Sequence, residues 1–400
     1  MCITLKGIVD MIYKYIFCNM FIMGLAFFSF ISIAAGNVFL GILTFYFFIK
    51  VYQGKFFYLN YKEYCIVAGI FAATMFLSAV FSGDIVYGLK RWADMWIWRF
   101  MPFIVIVFLL KNYVDAKKVI LASFVGISFV ATYAVYQGLN GISRANGFYG
   151  HPMTLGGWLC IFMPLLLIEF FEKRLLGKYY WLSGIAFCVC SAGLVFNATR
   201  GAWLAVAIVC GLLLIYYMLK SKRNVVIGAL FIILISVVLV NNPRFMHRLD
   251  TIDDFTKYQS NTERILIWQS AWNMFKDHPI LGVGLGQYTV NYQQKYILPQ
   301  AKEPNLGHAH NNFMQMLAEN GIVGFAGFIA MFGYIIFKNL IDWFKTRNTY
   351  ALMIVSATVC LLLQGFTEYN VGNSAVIKMY WLVLGLLVVL SELYKKETNI

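Results

Sequence analysis

An all-α, polytopic membrane fold of about twelve transmembrane helices is what this sequence predicts, and three features predict it. Of its 400 residues, 61% are hydrophobic and 12% charged, against about 45–50% apolar and about 25% charged in a soluble domain. Apolar runs of bilayer-crossing length recur along the chain, each span needing roughly 20 residues in helical form. The basic residues fall in short clusters between those runs. A net charge of +14 therefore reads as topological charge and not as a nucleic-acid footprint, because such clusters orient membrane proteins.

The expected spans lie near residues 14–34, 37–51, 63–81, 93–110, 118–138, 153–171, 179–197, 201–219, 225–240, 310–337, 349–366 and 375–393. The second and ninth are short and the fourth carries charges. The start of the chain is basic and then apolar with no small-residue cleavage site, so the first span is expected to be retained. With twelve spans, Lys50, Lys55 and Lys62 share one side with Lys111, Lys117 and Lys118, with Lys173, Arg174 and Lys178, with Lys220, Lys222 and Arg223, and with Lys338, Lys345 and Arg347. Lys6, Lys14, Lys395 and Lys396 fall there too. The positive-inside rule makes that side cytoplasmic and puts both termini on it, as in a multi-pass protein of the cell inner membrane. Cys2, Cys18, Cys65, Cys160, Cys188, Cys190, Cys210 and Cys360 all lie in or beside apolar segments without metal-ligand spacing, and read as small buried hydrophobes.

The opposite, periplasmic side has short connections and one long loop, 241–309, between the ninth and tenth spans. No internal repeat or separate soluble domain is visible, so residues 1–400 read as a single integral membrane domain. In the loop, Thr262 to Lys276 has the pattern of an amphipathic helix with Ile265, Trp268, Ala271, Trp272 and Phe275 on one stripe. The Trp- and Arg-rich segment 84–100, which includes Lys90, Arg91 and Arg99, suits the membrane–water interface. A loop this long in a tightly connected chain points to function.

Three segments carry residues suited to chemistry. In NATRGAWLA (197–205), Arg200 stands where one span ends and the next begins. It is either a snorkelling interfacial arginine or an anion clamp beside the free N–H groups of a helix start. In TERILIWQSAWNMFKDHPILGVGLGQY, Arg264 sits in the first turn of the amphipathic helix. The glycines that follow have a structural role; no strand precedes them, which excludes a nucleotide fingerprint. In GHAHNNFMQMLAENGIVG (307–324), His308 and His310 precede a span, with Asn312, Gln315 and Glu319 on one helical face behind them. Polar residues entering a span in a stripe face a bundle interior or a wet cavity. The two histidines would need a third ligand to hold a metal. Glu303, Asp277, His278 and Glu368 are available, but no spacing selects one, and no metal or cofactor is expected. Arg144 and His151 in SRANGFYGHP and Glu368 in TEYNVGN share this side, as do Asp250, Asp253 and Asp254 of the long loop.

Together these segments resemble the bacterial O-antigen ligase and O-antigen polymerase superfamily. The likeness rests on ATRGAWLA, on the R-x2-IW-x2-A-x5-DHPI-x-GVG-x-G-x-Y block and on H-x-HNNF-x-Q-x-L-x-ENG-x-x-G. Its motif part covers roughly 197–324, and it does not separate ligases from repeat-unit polymerases or protein O-oligosaccharyltransferases. The resemblance implies a metal-independent transferase that moves a glycan from undecaprenyl diphosphate to lipid A-core or another glycan acceptor. Matched residue by residue, it gives catalytic roles to Arg200, Arg264 and His310. His308, Asn312, Gln315, Glu319, Arg144 and Arg91 are the expected substrate-binding residues around them. The readings kept beside ligation are repeat-unit polymerisation and, from another class, transport or flipping of lipid-linked glycans. Transporters commonly show repeat symmetry and a cavity open to both sides; here the ionisable residues crowd at one face.

Overall fold

The computed structural model describes residues 19–54, 61–240 and 259–398. Lys6, Lys14, Lys55, Cys2, Cys18, Asp250, Asp253 and Asp254 lie outside the described residues, as do the starts of the first expected span and of the long loop. Among the described residues every regular element is helical, and nine helices are long and apolar enough to cross a membrane. The chain is an all-α, multi-pass membrane protein.

Helices α1 (Asn19–Phe28), α2 (Ile33–Tyr52) and α3 (Lys62–Val80) open the described chain. Helix α4 (Ile85–Ala93) passes through a π-turn, Asp94–Trp98, into α5 (Met101–Leu109). The interfacial sequence 84–100 thus leads into a continuous helical path. At the π-turn Arg99 pairs with Asp94 and donates to the Gly372 carbonyl at 2.6 Å, which offsets the cost of burying its charge. Next come α6 (Tyr113–Leu139), α7 (Pro152–Glu172), α8 (Trp181–Asn197), α9 (Arg200–Met218) and α10 (Lys222–Val240). Beyond residue 258 are α11 (Gln259–Asp277), α12 (Asn312–Thr346), α13 (Thr349–Gln364) and α14 (Ser374–Thr398). A helix occupies at least part of each expected segment, with α1 and α13 shorter than a span. The six described cysteines are free thiols within helices.

Helices α7 and α14 form the centre, with 89% and 83% of their apolar windows buried, whereas α2 is peripheral at 17%. The basic loops meet at one end of the bundle, where Arg174, Lys220 and Arg347 line a shared cavity. The segments carrying Arg144, Arg200, Arg264, His310 and Glu368 meet at the other.

The turn after α11 is laid into a break in α12. At Gly321 the helix leaves helical dihedrals, with φ 59° and ψ −161°. The main-chain groups freed there are taken up by the turn. Val283 N–H donates to Ala318 O at 2.9 Å and Gly284 N–H to Glu319 O at 3.1 Å. Ile322 N–H donates to Pro279 O at 2.8 Å and Val323 N–H to Ile280 O at 3.2 Å. A Cβ on Gly282 would overlap the Glu319 backbone, and one on Gly321 the Ile280 backbone. Both glycines also hold positive φ, where side chains are strained. The expected structural role of these glycines is that joint.

Helix α11 differs from its expected stripe. Its inward residues are Glu263, Leu266, Ile267, Ser270, Ala271 and Met274, while Ile265 and Trp272 are exposed. Ala271 alone of the expected stripe is fully inside. Each of the two polar residues has a main-chain partner there: one Glu263 oxygen accepts from Lys302 N–H at 2.9 Å, and Ser270 donates to Leu266 O at 3.0 Å. An apolar-only pattern misses such a face.

Candidate active site

Five connections bring the titratable side chains together. Helix α8 ends on Ala198 in the left-handed region, φ 56°, so the chain turns sharply and α9 begins at Arg200. Just before the turn, the buried Asn197 amide donates to the carbonyls of Ala145 and Pro152, both at 2.8 Å. That ties down the loop carrying Arg144 and His151. Gly201 lies against Thr367, whose hydroxyl a Cβ there would overlap. Arg264, in the first part of α11, donates one guanidinium N–H to the Thr367 carbonyl. Thr367 therefore joins the two arginine-bearing segments.

The histidines sit on a loop pinned from beneath. Gln315, on α12, accepts the Ala309 N–H at 2.7 Å. Asn311 caps α12 by accepting from Phe313 and Met314, and donates to Phe366 O at 3.0 Å. Asn312 donates to Asn370 Oδ1 at 2.7 Å, and its own N–H donates to Gly365 O at 2.7 Å. These bonds fix the 308–310 loop against the 365–371 loop. His310 is held at φ 48°, a conformation His visits more readily than most residues. Its ring is 4.2 Å from the His308 ring, centre to centre. His310 Nδ1 lies 3.3 Å from Glu368 Oε2, and His308 Nε2 lies 3.9 Å from Glu368 Oε1.

The electrostatics centre on Glu368, which is buried, while the His308 and His310 side chains are 32% and 25% exposed. Burial pushes its pKa up. The hydrogen bond with His310 and the charges of His310, His308 and Arg264 outweigh that and hold it below the usual carboxylate range. His308 is driven down to about 4, first by burial and then by the neighbouring His310, against the pull of Glu368; it is neutral near pH 7. Burial also lowers Arg264 and Arg144, with Glu368 opposing and Arg200 adding like-charge repulsion to each. Arg144, Arg200, Arg264 and Glu368 thus share one field. The Nε–H of Arg144 is buried with no hydrogen-bond partner among the described residues.

Of the expected residues, His310, His308, Arg264, Arg200 and Arg144 converge around Glu368. Arg91 and Glu319 lie in a neighbouring cluster, coupled to each other and to Tyr369, whose ring is 5.6 Å from that of His308. Glu319 is buried and accepts the Tyr288 N–H at 3.1 Å. Asn312 and Gln315 are buried and spend their amides on the protein itself. Sequence reasoning placed Glu368 on this side as one of several spare acids, and missed it as the partner of His310, 58 positions away. The polar stretch TEYNVGN between two apolar spans was the available signal. Thr367 was missed entirely.

His308, His310 and Glu368 offer ligand atoms within 4.8 Å of one another, so of the four residues the sequence left open as a third ligand, Glu368 is the one the fold brings beside the histidines. Three guanidinium groups in the same field work against a dication and favour an anion.

The family model described as O-Antigen ligase matches residues 185–329, a range holding Arg200, Arg264, His308 and His310. An uncharacterized protein of Haemophilus influenzae is 25% identical over 240 residues, covering 54% of this chain and 59% of that protein. An O-antigen ligase of Salmonella typhimurium is 23% identical over 256 residues, covering 59% of this chain and 60% of the ligase. The matched part is thus about three fifths of the length of each of these relatives.

Proposed function

We propose, from its similarity to O-antigen ligases, that this chain is a glycan transferase of that superfamily, moving a glycan from undecaprenyl diphosphate to an acceptor hydroxyl, with lipid A-core as the leading acceptor. The reaction is set at the periplasmic face of the inner membrane, with both termini cytoplasmic and 241–309 as the large periplasmic loop. The observation that carries this reading is the His310–Glu368 contact amid Arg264, Arg200 and Arg144.

An ionised Glu368 only accepts hydrogen bonds, so the ring nitrogen facing it, His310 Nδ1, carries the proton. In the neutral imidazole this leaves the lone pair on His310 Nε2, the atom assigned to take the acceptor hydroxyl proton. Such a base is typically worth about 10²–10⁴-fold in rate. The acceptor oxygen forms a bond to the anomeric carbon from the face opposite the diphosphate. The glycosidic C–O bond breaks with its electron pair leaving on the diphosphate, which inverts the anomeric centre. Arg264 and Arg200 bind the diphosphate and stabilise its growing charge. The unsatisfied Nε–H of Arg144 suits a third phosphate contact. His308, neutral and beside His310, lines the acceptor side. Asn312 and Gln315 act as positioning residues, and Arg91 and Glu319 support the wall behind Tyr369.

The decisive experiment is transfer by purified protein from lipid-linked donor, offering lipid A-core and a second lipid-linked glycan as rival acceptors. Product on lipid A-core supports ligation. Product only on the second lipid-linked glycan makes the protein a polymerase, and no product with either removes the transferase reading. In cells, a ligase deletion leaves free lipid A-core with accumulated lipid-linked polymer, whereas a polymerase deletion leaves single repeat units on the core.

A further inference from the structure

The end of the bundle opposite the histidines holds a second feature for an anion. A cavity of about 410 Å³ opens between the ends of α7, α9, α12 and α13, lined by Glu172, Arg174, Tyr216, Lys220, Trp343 and Arg347, among others. Arg174, Lys220 and Arg347 are all exposed, and three cations there face one carboxylate. Glu172 is taken by Lys220 at 3.2 Å. The guanidiniums of Arg347 and Arg174 lie over the rings of Trp343 and Tyr394, each 5.2 Å from the centroid. Stacking orients a guanidinium while its in-plane N–H donors stay available for a phosphate. Tyr216 and Trp343 pack edge to face, 5.4 Å apart, as amphipathic aromatics do at headgroup depth. Next to these residues apolar side chains turn outward: Leu212 and Ile215 on α9 with Leu219 at its C-cap, and Ile341 and Phe344 on α12. A polar cavity roomy enough for a whole headgroup, bordered by outward-facing apolar surface, fits a lipid headgroup better than a small soluble anion.

We propose that this cavity binds the phosphate of an anionic glycerophospholipid, with Arg174 and Arg347 as phosphate donors and Trp343 and Tyr216 as the headgroup wall. The site is independent of the transfer reaction proposed above.

The test uses purified full-length protein in neutral detergent, probed with phosphatidylglycerol, phosphatidylcholine and glycerol phosphate, reading unfolding midpoint and lipid adducts by native mass spectrometry. Phosphatidylglycerol is expected to raise the midpoint by roughly 3 °C or more and to leave retained adducts, while phosphatidylcholine does neither. The R174Q/K220Q/R347Q variant should lose both effects. A charge-matched K118Q/K222Q/R223Q variant, changed at exposed positions outside the cavity, should keep them. Equal stabilisation by phosphatidylcholine, retention in the cavity variant, or equal loss in both variants overturns the proposal. Protection by glycerol phosphate equal to that by lipid, with the same residue dependence, assigns the cavity to a soluble anion and overturns the lipid. Should the cavity variant fail to fold, R174Q and R347Q are tested singly: each is expected to lose at least half the adducts, and unchanged adducts in both reject the site.

Discussion

Glu319 and Glu368 are both buried carboxylates beside arginines, on polypeptide segments that touch, yet they are held differently. Glu319 sits within α12 and accepts a main-chain N–H from Tyr288, with the charge of Arg91 acting on it. Glu368 sits on a loop between helices and faces two imidazoles and Arg264. A carboxylate satisfied by a peptide group has a fixed partner that exchanges no proton. One satisfied by an imidazole shares a proton with a ring whose other nitrogen is available for reaction. The difference separates an acid that holds the fold from an acid that directs chemistry, although the two look alike in sequence.

The comparison breaks most visibly at the base. His310→Ala should lower transfer by about 10²–10⁴-fold with insertion and folding retained; near-normal turnover by the purified variant removes His310 from the mechanism. Glu368→Gln keeps size but presents an amide to the ring, so transfer should fall on the order of 10²-fold with unchanged thermal stability. An equal loss of stability and rate would mean that Glu368 only supports the loop. Gly321→Ala forces a Cβ onto the Ile280 backbone and should cost about 1–3 kcal/mol of stability, read in thermal unfolding; an unchanged midpoint would deny the joint its structural role. Glu319→Gln retains an acceptor for Tyr288, so the midpoint should drop by a few degrees and transfer by less than about threefold. A loss as large as that of Glu368→Gln would erase the contrast. The smallest effect is expected from chelation: excess EDTA should leave the rate unchanged, and inhibition reversed by a divalent ion would make His308, His310 and Glu368 metal ligands.

Much of this organisation was legible in the chain. Hydropathy located the helices, because a bilayer allows little else to cross it. Clusters such as Lys173–Arg174–Lys178 and Lys220–Lys222–Arg223 marked loops that do gather at one end. Arg200, His308 and His310 were legible as polar groups at span boundaries, and Arg264 as a charge in the first turn of the long loop's amphipathic helix. What stayed hidden was pairing across distance. Nothing local connects Glu368 to His310, or Asn197 to the Arg144 loop, since both contacts depend on how helices pack. The burial of Glu263 was hidden for a related reason: a polar group turns inward when a main-chain donor waits there, and its partner, Lys302 N–H, lies 39 positions away. The spacing of Asn312, Gln315 and Glu319 was read correctly as one face, but it could not say that their amides and carboxylate are occupied internally.

The seam at Gly321 carries a practical consequence for handling the protein. It is made by peptide dipoles and steric fit, with no ion pair in the four bonds that close it, so added electrolyte has little in it to weaken. Capture of a diphosphate by guanidinium groups is the kind of attraction that mobile ions do screen. Raising ionic strength should therefore lower the apparent affinity for donor while the scaffold's melting behaviour stays put, giving experimenters a dial that loosens the cargo and spares the frame.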